Sequence, residues 1–311
     1  MADLSQTQDA PTPAELIERE AAGRNRAGLA ALLSAVFVTF AYMISQIVGG
    51  DAPGITLTDA LQDAAGERAS GTPGTFAPYI AFVNDKVALI GLQTLLEVFS
   101  WAGFAIVLLY LFHAAKGRRP ETKSWLRQLV IASVSAVIVG TLLRYAGHAV
   151  GVHDFVNGTD KSNEAARDAL STAPALIGQL LSDLGRYAVL AAWALVSLHA
   201  MRAGLLTKFL GTLGVLGAIL TAILIQIPII QIFWLVVVGM TILGRFSTPP
   251  AWTTGTAVPW PTQQEIRELR ERAREEQAKP AKKTANAKPE AKPAAGKPSP
   301  ATSARKRKRR S

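Results

Sequence analysis

Residues 87–115 read VALIGLQTLLEVFSWAGFAIVLLYLFHAA, 29 consecutive positions with a single formal charge, Glu97. As a helix rising 1.5 Å per residue they extend about 43 Å, more than the ~30 Å hydrocarbon core of a bilayer. Apolar side chains occupy every side of this helix and not the one stripe that a water-facing helix buries. The stretch therefore predicts a membrane-spanning helix, and its lone acid predicts something polar for that acid to meet inside.

Similar blocks lie on both sides. Residues 27–49, 129–152 and 175–201 each exceed the ~20 residues a crossing requires. Across the chain 49% of residues are hydrophobic, 18% are charged and the mean hydropathy is +0.22. Such a balance in long blocks predicts an integral membrane protein. Cysteine is absent, which excludes disulfides, cysteine-based zinc sites and thiol nucleophiles. The block at 27–49 follows a polar leader and is longer than the apolar core of a secretory signal. It is read as the first span, with no cleavable signal peptide.

Residues 209–246 form a longer apolar block, about 57 Å if one helix. Pro228 interrupts it beside Gln226 and Gln231. Proline lacks the amide a helix needs and restrains the residue before it. The block divides into short helices at 209–225 and 229–243, the alternative being one tilted, kinked helix. Charge favours the division. Arg19, Arg24 and Arg26 precede the first span, Lys116, Arg118, Arg119, Lys123 and Arg127 follow the second, and Arg202 and Lys208 follow the fourth. The connections at 50–86 and 153–174 are acidic. Positively charged connections stay cytoplasmic, so the N-terminus is inside, and six spans return the C-terminal tail to that side. The predicted fold class is all-α, a polytopic membrane helix bundle of about six transmembrane helices in the cell membrane, both termini cytoplasmic. Its parts are a polar segment at 1–26, the membrane body at 27–246 and a basic tail at 247–311.

The acidic stretches TLTDALQDAAGERA (56–69) and SNEAARDALS (162–171) read as short helices capping the outer surface, or as solvated connections. Trp252 and Trp260 suit the inner membrane interface, where an indole is half apolar and half wet. The tail holds 16 Lys and Arg against 6 acids. Subtracting these from the totals of 33 and 23 leaves 17 against 17 for the rest, so the whole net charge of +10 sits there. A short charged helix, TQQEIRELRERAREEQ, opens the tail. The remainder lacks apolar residues for a core and reads as disordered. Its terminal cluster, Arg305, Lys306, Arg307, Lys308, Arg309 and Arg310, suits anionic lipid headgroups. Contact with nucleic acid phosphates is the weaker alternative, and it would be unspecific because no aromatic residue follows Trp260.

Two spans align without gaps at an offset of 86: QTLLEVFSWAGFAIVLLYLFHAAK over QLLSDLGRYAVLAAWALVSLHAMR. Gln93 matches Gln179, Glu97 matches Asp183 and His113 matches His199. Spans one and three share SAVFV and SAVIV. The pattern predicts a parallel repeat of two helices about an axis along the membrane normal.

Ionisable residues inside a span cost a few kcal/mol and usually face the protein interior. Glu97, Arg144, Asp183 and Arg186 all fall some 12–17 Å below the outer ends of their helices, with Gln93 and Gln179 one turn above each acid. Two acids and two bases neutralise one another. Glu97 is expected to pair with Arg144 or Arg186, either to fix helix neighbours or to line a polar cavity for a small solute or protons. Gln46, Tyr145 and His148 lie at similar depth. The sequence carries no catalytic, metal-binding or cofactor-binding motif in a suitable context.

The segments TKFLGTLGVLG, FWLVVVGMTILGRF, PPAW, VPWP, EIRELRE and RKRKRR resemble a group of uncharacterised actinobacterial multi-pass membrane proteins, most clearly over the C-terminal third. The resemblance implies a six-helix membrane body with a basic cytoplasmic tail and carries over no functional residue. The leading reading is a scaffold or accessory subunit with membrane-protein partners and no catalysis. A transporter or channel-like protein for a small polar solute or protons is the alternative. An intramembrane enzyme comes third.

Overall fold

The computed structural model describes residues 12–54, 57–65, 74–223, 228–246, 248–258, 260, 267–268, 270–272 and 274. Ten helices, with no strand among the described residues, form in the order α1 Pro13–Asp51, α2 Leu57–Ala64, α3 Ala77–Asp85, α4 Val87–Arg118, α5 Trp125–Asn157, α6 Asn163–Leu170, α7 Ala173–Arg202, α8 Lys208–Ile223, α9 Ile229–Ile242 and α10 Ala251–Thr254.

Four helices, α1, α4, α5 and α7, are long and apolar enough to cross a membrane. Helices α8 and α9 are apolar but have 16 and 14 residues. They extend about 24 and 21 Å, short of the hydrocarbon thickness. The expected division at Pro228 is present, and Pro228 caps the start of α9. A single kinked helix is excluded by the contacts. Gly217 lies against Ile230 and Gly214 against Trp234, so positions rising along α8 meet positions falling along α9. The pair is an antiparallel hairpin.

The same reasoning makes the successive pairs around the bundle antiparallel, whereas α4 and α7, which meet through Glu97 with Arg186 and Phe104 with Trp193, run parallel. Gly103 of α4 lies against Ala30 and Ser34 of α1, Gly147 of α5 against Ala175 of α7, and Gly211 of α8 against Met201 of α7. Around the bundle α1 packs on α4, α4 on α5, α5 on α7, α7 on α8, α8 on α9 and α9 on α1, while α4 also touches α7 across the middle. The start of α1 and the end of α9 thus lie at one end, with the basic connections; we call it the basic end. The acidic connections lie at the other.

Small residues set the closest approaches. On α5, Gly140, Gly147 and Gly151 face Gly178, Ser182, Ala175 and Ala169, the last at the end of α6, and Gly185 of α7 faces Val137. A lipid-soluble helix gains little by hiding large apolar side chains, since lipid is equally apolar, so dispersion contact between close backbones holds the bundle. Helix α1 shows the resulting pattern. Ala27, Ala31, Ser34 and Ala35 are buried, while Leu29, Leu33, Val36, Phe40, Met43 and Ile47 stand exposed at alternating intervals of four and three. Between α1 and α4, the Ser34 hydroxyl donates to the Ser100 carbonyl at 2.7 Å and the Ser100 hydroxyl to the Ser34 carbonyl at 3.1 Å.

At the acidic end, α6 is the expected cap over 162–171. Ser162 caps its first turn, and Ala166 and Ala169 pack with Val152 and Phe155 of α5 and with Ala77 and Ile80 of α3. Helix α3 has no counterpart in the sequence reading.

The basic end differs most from expectation. Helix α1 begins at Pro13, inside the leader, with Thr12 and Glu15 in a capping box. Glu20 of this extension meets Arg118, 98 positions away, in a buried ion pair whose side chains are 10% and 0% exposed. Arg118 also donates to the Ala251 carbonyl at 2.7 Å and lies 5.6 Å from the centroid of the Trp252 ring. Trp252 stacks on Tyr110 and donates to the Leu205 carbonyl at 2.9 Å, and Trp260 donates to the Leu206 carbonyl at 2.8 Å. Both tryptophans are half-buried and brace the protein through these bonds. One compact unit runs through Trp260, and Pro261–Ser311 form a separate one.

Candidate functional site

The charged residues converge from three helices whose faces turn inward. Glu97 comes from α4, Arg144 from α5, and Asp183 and Arg186 from α7. Arg186 donates through Nη2 to Oε1 of Glu97, which also accepts from Trp101 Nε1 at 3.4 Å. Arg144 does not join that pair. Its Nη1 donates to Oε1 of Gln179 at 3.0 Å, and Gln179 donates through Nε2 to Asp183. The network is therefore one ion pair and one relay in which an amide bridges a base and an acid. Of the two arginines expected as partners of Glu97, the structure brings up Arg186.

These groups are not sealed. They line a cavity of about 540 Å³, half open, in the part of the bundle nearer the acidic end. The ion pair keeps side-chain exposures of 19% for Glu97 and 26% for Arg186. Gln46 and Tyr42 of α1, Gln93 of α4, Thr221 of α8 and Gln231 of α9 add further polar groups to a wall that also holds Val38, Ala41 and Leu190. Gln93 and Gln46 were legible by depth. Tyr145 instead donates to the Val87 carbonyl at 3.3 Å, and neither it nor His148 lines the cavity. Gln179 acts behind the wall through Arg144 and Asp183. The sequence signal for Gln231 was an amide beside Pro228 in an otherwise apolar block, but its helix assignment did not reveal which way it faced.

Several polar atoms here lack partners among the described residues: Nε of Arg186, Nε2 of Gln231 and Oγ1 of Thr221. Gln231 is 4% exposed. A buried donor without an acceptor costs about 1–3 kcal/mol, a penalty that a bound ligand or water would relieve.

An aromatic cluster closes the cavity toward the basic end. Trp101, Leu190 and Gln231 line it, and three residues further along each helix stand Phe104, Trp193 and Trp234, all fully buried. Their ring centroids lie 5.3–6.0 Å apart in edge-to-face contact. The site is thus a polar cup with an aromatic floor.

No family model, curated protein or solved structure matches the chain. The cup is the feature of the molecule that bears on function. Among the described residues no group of three or more His, Asp or Glu is placed to hold a metal. His113 hydrogen-bonds the Leu109 carbonyl of its own helix at 2.6 Å. The terminal basic cluster at 305–310 lies outside the described residues.

Proposed function

We propose that this protein is a six-pass membrane protein of the cell membrane, termini cytoplasmic, that takes a small polar solute from the outer side into the cup. The observation that carries the reading is the placement of Glu97, Asp183, Arg144 and Arg186 around a half-open cavity. A charged network that serves only to fix helix neighbours has no need of one. The four charges sum to zero, so a solute of no net charge, zwitterion or polyol, leaves the site neutral in a medium where an uncompensated ion is costly. The antiparallel α8–α9 hairpin supports two further crossings despite its short helices. Both chain ends of the bundle then fall on the basic side, as the positive-inside rule requires. The matched Gln93/Gln179 and Glu97/Asp183 support the two-helix repeat, and the likeness of the C-terminal third to multi-pass actinobacterial proteins agrees with the crossing number. The basic cluster 305–310 is read as a contact for anionic headgroups.

A scaffold or accessory subunit is the second reading, favoured by the Glu97–Arg186 and Arg144–Gln179 links, which tie α4, α5 and α7 together. One experiment separates them. The purified protein is heated with and without free amino acids, polyols and simple salts, and the same is done for Arg144→Gln and Asp183→Asn. A solute reading expects net-neutral solutes to raise the unfolding midpoint of the parent and not of the variants. If no neutral solute shifts the parent, and a cysteine placed at Gln46 resists a water-soluble maleimide, the solute reading fails and the scaffold reading stands.

A further inference from the structure

Three side chains of the cup hold buried atoms with no hydrogen-bond partner among the described residues: Nε of Arg186 on α7, Oγ1 of Thr221 on α8 and Nε2 of Gln231 on α9. They stand on three helices and line one cavity. Packing gathers them near its floor. Gly217 lies against both Trp193 of α7 and Ile230 of α9. Gln231 follows Ile230, Thr221 stands one turn beyond Gly217 toward the acidic end, and Arg186 two turns beyond Trp193 in the same direction. Gln231, at 4% exposure, is too deep for bulk water to serve it.

The guanidinium and amide nitrogens only donate, and a hydroxyl donates as well. What the three groups lack is therefore an acceptor. A carbonyl or hydroxyl oxygen offers two lone pairs, too few for three donors, whereas a carboxylate offers about four on its two oxygens. Bonds from a guanidinium to a carboxylate are also charge-assisted and strong. The charge so introduced needs an answer inside the cup, where an uncompensated ion is costly. Asp183 is placed to give it. It lies three residues before Arg186 on α7, about 4.5 Å nearer the opening. It accepts from Gln179 and forms no ion pair among the described residues. An ammonium carried on the carbon next to a carboxylate reaches across such a rise. Val38, Ala41, Leu190 and Pro228 leave an apolar part of the wall for an uncharged side chain.

We propose that the cup binds a neutral α-amino acid, its carboxylate at Arg186, Thr221 and Gln231 and its ammonium toward Asp183. The proposal rests on the reading of the cup as a solute site and narrows the solute from any net-neutral molecule to one class.

The test is calorimetric titration of the full chain in a neutral detergent with alanine, leucine, alaninamide and glycerol. Alaninamide keeps the ammonium and lacks the carboxylate. One or both amino acids are expected to bind saturably, alaninamide about tenfold or more weakly, and glycerol not at all. Gln231→Leu removes a donor at similar volume. It is expected to weaken amino acid binding about tenfold or more and to leave the unfolding midpoint without ligand unchanged or higher, because an unpaired buried donor is gone. A glutamine with a purely structural role would give the opposite, a lower midpoint and unchanged affinity. Thr221→Val is the second variant, with the same expectation. Equal binding of alaninamide, or binding of glycerol in place of the amino acids, would overturn the carboxylate and leave the solute reading standing. Undiminished affinity in both variants would overturn the floor as its seat. If neither amino acid binds while a cysteine at Gln46 reacts with maleimide, this proposal alone fails; if that cysteine is also unreactive, the solute reading fails with it.

Discussion

Glu97 and Arg186 each carry a charge that the membrane interior disfavours, and each makes the other tolerable. Removing one partner alone leaves an ion without compensation, whereas removing both leaves two amides that hydrogen-bond without charge. Arg186→Gln is therefore expected to destabilise by about 1–3 kcal/mol, the lower end reflecting the partial exposure of the pair. Glu97→Gln/Arg186→Gln should recover most of that loss. Thermal unfolding of the two single variants and the double variant, read as a mutant cycle, measures the coupling. Equal losses that simply add would mean that the two groups do not act as a pair. The acids and bases were legible individually, because a charge in an apolar block stands out against its neighbours. The choice of Arg186 over Arg144 was not, because both lie within a few ångströms in depth and only rotation about the helix axes distinguishes them.

At the scale of helices, the α5–α7 seam depends on absent side chains. A Cβ at Gly140 or Gly178 would fall within 3 Å of the backbone of the facing helix, a contact that no flexible side chain can relieve. Gly140→Ala is expected to cost about 1–3 kcal/mol through overpacking and to push α5 and α7 apart. Gly49→Ala is the control, since that glycine is also helical and has nothing within 4 Å of the added carbon. It should be neutral or stabilise by up to about 1 kcal/mol through lower flexibility of the unfolded chain. Unfolding midpoints of the two variants decide the matter. Equal behaviour would show that the seam is looser than its geometry. On α8, Gly214 lies against Ser197 and Trp234 in the same way. The longer seam of α5 and α7 escaped notice because glycines spaced four and seven apart on two helices mean little until the helices are known to be neighbours.

For the molecule as a whole, the strongest expectation is which end faces the cytoplasm. The chain has no cysteine, so single cysteines report without interference. Cysteine at Ser70, in the acidic connection, is expected to react with an impermeant maleimide in intact cells, and cysteine at Ser303, in the basic tail, only after lysis. The reverse pattern would invert the bundle and turn the cup toward the cytoplasm. Ser70 and Ser303 on the same side would mean an even number of crossings between them.

Sequence by itself determined the class of protein, the positions of the four long helices, the break at Pro228 and the depth of the charged residues. Each is a local property: hydropathy sums over a window, proline acts on its own turn, and rise per residue converts position into depth. Tertiary structure alone decided that α8 and α9 fold back on each other, that Glu20 of the leader meets Arg118 across 98 positions, and that Trp252 and Trp260 brace the body. It also decided that the charged network opens onto a cup with an aromatic floor. These features depend on which faces of distant helices meet. That choice is made by the glycine and serine seams acting together, and no window of sequence contains both sides of a seam.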